Sequence, residues 1–132
     1  MGSSSKFLIV SGLIFACFAV LIGAFAAHGL KPLLSTKEIN NFETGVKYQF
    51  YHSFALILAG FLSFQIPSQA SKFKWAGFCF FMGIILFSGS LYLLSIQSIF
   101  NIIIPFLGPV TPIGGVLLIF GWFFSILGVL KG

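Results

Sequence analysis

The chain has 132 residues, 58% of them hydrophobic and only 7% charged, against about 25% charged in a soluble domain, so water is not its solvent and one membrane domain spanning residues 1–132 is expected. Its net charge of +5 comes from seven lysines, with no arginine, against Glu38 and Glu43. Scattered singly at the ends of apolar segments, these lysines anchor a membrane protein and do not form the clustered basic surface that nucleic acid requires.

A helical crossing needs about 20 apolar residues at about 1.5 Å of rise each. Four stretches qualify: residues 7–27, 46–64, 75–96 and 111–130. Lys6 precedes the first, and Ala24-Phe25-Ala26 near its end resembles a signal-peptide cleavage site. The apolar run exceeds the roughly 7–15 residues of a signal-peptide core, so it is read as a retained helix. Next, Ser35-Thr36-Lys37-Glu38 offers a capping box, the Ser35 hydroxyl serving a free N–H and Glu38 reaching back. Ile39, Phe42 and Val46 then share a helical face, which predicts a short interfacial helix before the second crossing, bent at Gly45. Residues 97–110 carry no charge and hold Ile102, Ile103 and Ile104 among prolines. They are expected in the headgroup layer or against the bundle, because bare backbone is not tolerated in lipid. Thr111 and Pro112 supply a cap and a first-turn proline for the fourth crossing.

Lys6, Lys72, Lys74 and Lys131 fall on one side of these crossings; Lys31, Lys37 and Lys47, offset by both glutamates, fall on the other. That bias places both termini in the cytoplasm. In lipid, small residues that let backbones approach become the packing signal. They recur in steps of four and three at Gly12, Ala16, Ala19 and Gly23, again at Ala55 and Ala59, and at Gly114, Gly121 and Gly128, with Gly83 on the third crossing. A mean step of about 3.5 residues keeps each stripe against its neighbours. The fold expected is all-α: an antiparallel up-down-up-down bundle of four transmembrane helices.

Alternating directions bring the polar residues to one membrane face. They are His28; Glu43, Lys47, Tyr48, Gln49 and His52; Ser88, Ser90 and Tyr92; and Thr111. His52 lies about 9 Å inside the second crossing, a depth at which an ionisable group is costly and by default a functional candidate. Tyr48 shares its face one turn away, so phenol and imidazole are placed to hydrogen-bond or relay a proton. The reading preferred over this is a neutral, hydrogen-bonded histidine that ties helices together. No HxxxH, HExxH or ExxH pair is present, so neither a metal nor another cofactor is expected. Glu43 and Lys47, four apart, read as a surface ion pair. Ser88-Gly89-Ser90 reads as close packing more than as a nucleophile. With no aspartate in the chain, an Asp-dependent triad is excluded.

Four strings in these segments carry a resemblance: GAFAAHGL at residues 23–30, FETGVKYQFYHS at 42–53, LFSGSLYLL at 86–94 and TPIGG at 111–115. Together, and in this order, they resemble the bacterial inner-membrane proteins of the domain of unknown function 423 family, whose animal relative is transmembrane protein 256. The family's motif residues map here onto His28, Gly29, Glu43, Tyr48, Gln49, His52, Ser88, Gly89, Ser90, Tyr92, Thr111, Pro112 and Gly114. Lys47 stands where the family commonly has arginine, which removes a planar two-pronged anion contact, and Ala26 replaces a frequent glycine. The resemblance implies a small multi-span protein of the inner membrane and supplies no reaction. The expected function is therefore an accessory or structural bundle that binds a protein partner, itself or lipid, and not an enzyme. The alternative is a pocket or pathway for a small solute, quinone, lipid or proton, lined by His52, Tyr48 and Gln49.

Overall fold

The computed structural model describes Met1–Gly132 and contains helices joined by turns and irregular segments, with no strand. The first helix, α1 (Ser3–Phe25), widens into one π turn, Ala26–Leu30, where the Lys31 N–H reaches five residues back to the Ala26 carbonyl at 3.0 Å. After a short turn comes α2 (Thr36–Gln65). A 3-10 turn, Pro67–Gln69, feeds α3 (Ala70–Ile96), and an irregular segment leads to α4 (Leu107–Leu130). α1 with its π turn, α3 with its 3-10 turn, and α4 are each long and apolar enough to cross a membrane. The protein is a helical membrane bundle. α2 falls outside that group because its first half is polar.

The capping box at the start of α2 is made on both sides. The Glu38 N–H donates to Ser35 Oγ at 3.3 Å, and the Ser35 N–H donates to Glu38 Oε2 at 2.8 Å. No separate interfacial helix follows, and Gly45 is not a bend. The helix runs unbroken for 30 residues. Gly45 serves close approach instead: a Cβ there would sit 2.8 Å from the Tyr92 ring. The fourth helix also differs from expectation, starting at Leu107 and not at Thr111. Pro109 occupies the first turn, where its missing N–H costs nothing. Pro112 then lies inside the helix, and the Thr111 hydroxyl turns to the Leu107 carbonyl, 3.2 Å away, instead of capping.

Helices adjacent in sequence pack antiparallel and adjacent in space, α1 on α2, α2 on α3 and α3 on α4; α1 only grazes α3, and the first and last helices do not pack together. Glycines permit the close crossings. A Cβ on Gly12 would fall 2.6 Å from the Ser53 carbonyl oxygen, and one on Gly114 would fall 2.3 Å from the Phe87 backbone nitrogen. Gly83 faces Leu118, Gly121 faces Phe80 and Gly128 faces Phe73. Ala19, Ala55 and Ala59 are buried, while Ala16 and Gly23 are half-buried. Gly60 and Gly77, outside the expected stripes, make equally close crossings against Ser5 with Ile9 and against Leu8.

The main core gathers Leu8, Leu56, Phe80, Ile84 and Leu118 from all four helices. A second cluster of Ala26, Leu30, Leu34, Ile39 and Phe42 closes the end that carries the α1–α2 and α3–α4 connections, here the loop end. The other, which holds both termini, is the terminal end. The segment between α3 and α4 is held by Gln97, whose Oε1 accepts from the Ile104 N–H at 3.2 Å. Its apolar tip, with Phe100, Ile103 and Phe106, points outward.

Candidate functional site: a hydrogen-bonded seam

Gln49 organises the loop-end half of the bundle. It lies on the face of α2 turned toward α1 and α3 and is only 4% exposed. Its Nε2 donates to the Phe15 carbonyl of α1 at 2.8 Å, and its Oε1 accepts from the Tyr92 hydroxyl of α3 at 2.7 Å. One amide therefore joins three helices, using a donor and an acceptor that hydrocarbon cannot satisfy. One turn toward the loop end, Ser88 Oγ of α3 donates to the Gly45 carbonyl of α2 at 2.7 Å. Absence of a side chain at Gly45 is what lets α3 come that near.

Between α3 and α4, Ser90 and Thr111 meet hydroxyl to hydroxyl at 2.6 Å. Ser90 also lies 2.9 Å from the Phe87 carbonyl and Thr111 3.2 Å from that of Leu107. Two hydroxyl protons serve three contacts, so one donates across the helices while the other donates back within its own helix.

His52 sits a turn deeper, ringed by Tyr48, Phe80 and Trp122. Its Nδ1 lies 2.8 Å from the Tyr48 carbonyl, and its Nε2 accepts from Trp122 Nε1–H at 3.2 Å. A carbonyl only accepts and an indole N–H only donates, so both bonds form together only in the neutral imidazole protonated on Nδ1. The expected pairing of phenol and imidazole is not made: Tyr48 meets His52 through its carbonyl and through stacked rings 5.8 Å apart.

The other sequence candidates stand apart from the seam. His28 is exposed on the π turn, and Glu43 and Lys47 are exposed on α2 without pairing. Gln49 and His52 point to different neighbours, so they do not line one pocket. Sequence reasoning missed Trp122, whose indole N–H needs a partner in an apolar setting and was the available signal. It also missed the Phe15 and Gly45 carbonyls, which no side-chain pattern announces. Every buried side-chain nitrogen and oxygen has a partner. Nowhere do three His, Cys or carboxylate side chains converge.

Beside this seam a groove of about 650 Å³ separates α2 from α4, walled by Tyr48, Tyr51, His52, Phe87 and Trp122. At the loop end itself, the Ser35 backbone N–H beside Glu38, with the Ser98 and Ser35 hydroxyls, holds the Glu38 carboxyl below its usual range.

Residues 22–115 match the model of a family described as protein of unknown function, DUF423. Among similar proteins, the UPF0382 membrane protein of Staphylococcus epidermidis is 40% identical over 96% of this chain and 97% of its own. The UPF0382 membrane protein YwdK of Bacillus subtilis is 40% identical over 96% of this chain and 98% of its own. A UPF0382 membrane protein of Staphylococcus aureus is 41% identical over 96% and 97%. No solved structure matches. The motif-bearing seam, the helical membrane architecture and end-to-end similarity to these membrane proteins lead to one conclusion: the chain belongs to the DUF423 family.

Proposed function

We propose that the protein is an accessory or structural bundle of the bacterial inner membrane, whose polar seam fixes how its helices sit and so presents a stable outer surface to a protein partner, a second copy or lipid. In this reading α2 is a fourth crossing. Its 30 residues span about 45 Å, and Phe50, Phe54, Leu58 and Phe61 give it an exposed apolar stripe. Four lysines at the terminal end put both termini in the cytoplasm. The observation that carries the reading is that every buried side-chain nitrogen and oxygen has at least one hydrogen-bond partner inside the bundle, so none is left wholly unpartnered for a ligand. The test is Gln49→Leu and His52→Phe in proteoliposomes and in detergent. Lower melting temperature with no change in proton or solute flux is expected; a pH-dependent flux abolished by His52→Phe would sink the reading.

The α2/α4 groove favours a second reading, a site for a flat lipid-soluble molecule stacked between Tyr48 and Trp122 with His52 at its back wall. Its volume falls within the range of small-molecule sites, about 300–1,000 Å³. Quenching of Trp122 fluorescence by a short-chain quinone, absent in Gly115→Phe, would support it.

A further inference from the structure

At the terminal end, between α1 and α3, a second groove of about 540 Å³ opens beside Ser3, Ser4 and Lys74 and is walled deeper by Phe7, Phe78 and Met82. We infer that this groove holds one anionic glycerophospholipid, its phosphate at Lys74 and one acyl chain laid between α1 and α3. The groove lies where α1 and α3 touch sparsely: Leu8 seats against Gly77 at a distance no Cβ would allow, and the Phe7 and Phe15 rings lean on Phe81.

Polarity is arranged in the order a lipid needs. Lys74 is exposed at the mouth, Phe7 and Phe78 form exposed apolar walls one turn further into the membrane, and Leu8 and Gly77 are buried at the floor. From Lys74 to Met82 the groove follows α3 for about 12 Å, against about 15 Å for the hydrocarbon of one leaflet. Charge favours an anion. Lys6, Lys72, Lys74 and Lys131 gather at this end, and both glutamates lie at the other. Lys72 is occupied by Gln69 Oε1 at 2.5 Å; Lys74 makes no such bond and lines the groove. The hydroxyls of Ser3 and Ser4 add neutral donors at the same height. A zwitterionic lipid would bring its own cation to this cluster, and a soluble anion would leave the apolar floor bare. The inference adds a ligand to the proposed role without leaning on the seam, so its failure leaves the tests at Gln49 and His52 standing.

The experiment is native mass spectrometry of the intact chain in mild detergent, offered equal amounts of phosphatidylglycerol and phosphatidylcholine with the same acyl chains. The wild type should retain phosphatidylglycerol over phosphatidylcholine about fivefold, the size expected for one lysine at an anionic surface. Lys74→Gln should bring the ratio near one while Lys72→Gln leaves it unchanged. Met82→Trp, which fills the groove, should lower retention of both lipids. Equal retention of the two lipids by the wild type would overturn the inference. So would an equal fall in both lysine variants, which would mean diffuse attraction to a basic end.

Discussion

The two halves of the bundle are held by different means. Toward the loop end, helices are joined by side-chain bonds that cross from one to the next: Gln49 to Phe15 and Tyr92, Ser88 to Gly45, Ser90 to Thr111 and Trp122 to His52. Glycine crossings occur in both halves, but toward the terminal end they dominate, Gly60 on Ser5 and Ile9, Gly77 on Leu8, Gly121 on Phe80 and Gly128 on Phe73, with one side-chain bond between elements, Gln69 Nε2 to the Lys131 carbonyl. Close packing by itself sets how near two helices lie but tolerates sliding along the contact. Hydrogen bonds in lipid specify register, since a slipped carbonyl or amide finds no water to replace its partner.

The largest effect should come where a glycine faces backbone. At Gly114 the atoms nearest a new Cβ are Phe87 N and Cα and the Leu86 carbonyl carbon, none of which can move alone. Gly114→Ala should force α4 away from α3 and cost more than about 3 kcal/mol, beyond the usual cost of overpacking. Gly128→Ala is the matched control. There the atoms nearest the new methyl all belong to the Phe73 ring, a side chain that can shift without moving backbone but is fully buried, so the loss should stay within the usual overpacking range of about 1–3 kcal/mol. Reversible unfolding in mixed detergent micelles would compare the two, and equal losses would break the distinction between backbone-limited and side-chain-limited crossings.

Gln49→Leu comes next. It removes two interhelical bonds and strands the Tyr92 hydroxyl, with an expected loss of about 1–3 kcal/mol. Adding Tyr92→Phe should restore part of that loss, because removing both partners of a buried bond costs less than removing one. A double mutant as unstable as the sum of the singles would mean that the amide and phenol act independently.

How much of this was readable beforehand depends on what each feature is made of. Apolar length and the spacing of small residues announce the helices and the faces they turn inward, since both are local properties of the chain. The polar cluster was legible in membership for Gln49, Ser88, Ser90, Tyr92 and Thr111, because antiparallel crossings carry polar residues at alternating ends to one side. Its wiring was not. Gln49 bonds a backbone carbonyl of α1 and His52 bonds an indole of α4, and both choices depend on rotation and depth settled only when the helices pack. Gly45 shows the same limit. Its sequence context reads as a bend, yet the glycine makes room for Tyr92 within a continuous helix.

Trp122→Phe tests the weaker link in the seam. It deletes one indole donor while keeping an aromatic ring beside Phe80. The loss should lie between about 0.6 and 1.7 kcal/mol, the average and the maximum for interhelical hydrogen bonds in lipid. Nitrogen NMR of labelled histidine supplies the sharper readout: His52 of the wild type should be protonated on Nδ1, and the variant should keep that tautomer, held by the Tyr48 carbonyl, while its Nε2 resonance shifts on losing the indole donor. A wild-type His52 protonated on Nε2 would remove Trp122 from the seam.

The smallest effect lies at the loop end, where Glu38 is the one charged side chain fixed by neighbours. The Ser35 N–H, with the Ser98 and Ser35 hydroxyls, keeps its carboxyl more acidic in the folded protein than in the unfolded chain. A group whose folded pKa is depressed stabilises the fold above its unfolded value, and that contribution disappears as pH falls through the folded value. The melting temperature should therefore be flat from neutral pH down to the ordinary carboxylate range and decline below it. Glu38→Gln should melt slightly lower at neutral pH and lose most of that acid decline. Because the Ser98 hydroxyl that helps hold Glu38 lies in the α3–α4 connection, the protection factors of the Ile102 and Ile104 amides, corrected for the intrinsic pH dependence of exchange, should fall over the same pH interval. Protection factors there that are equal at neutral and acid pH would confine the carboxyl's role to capping α2.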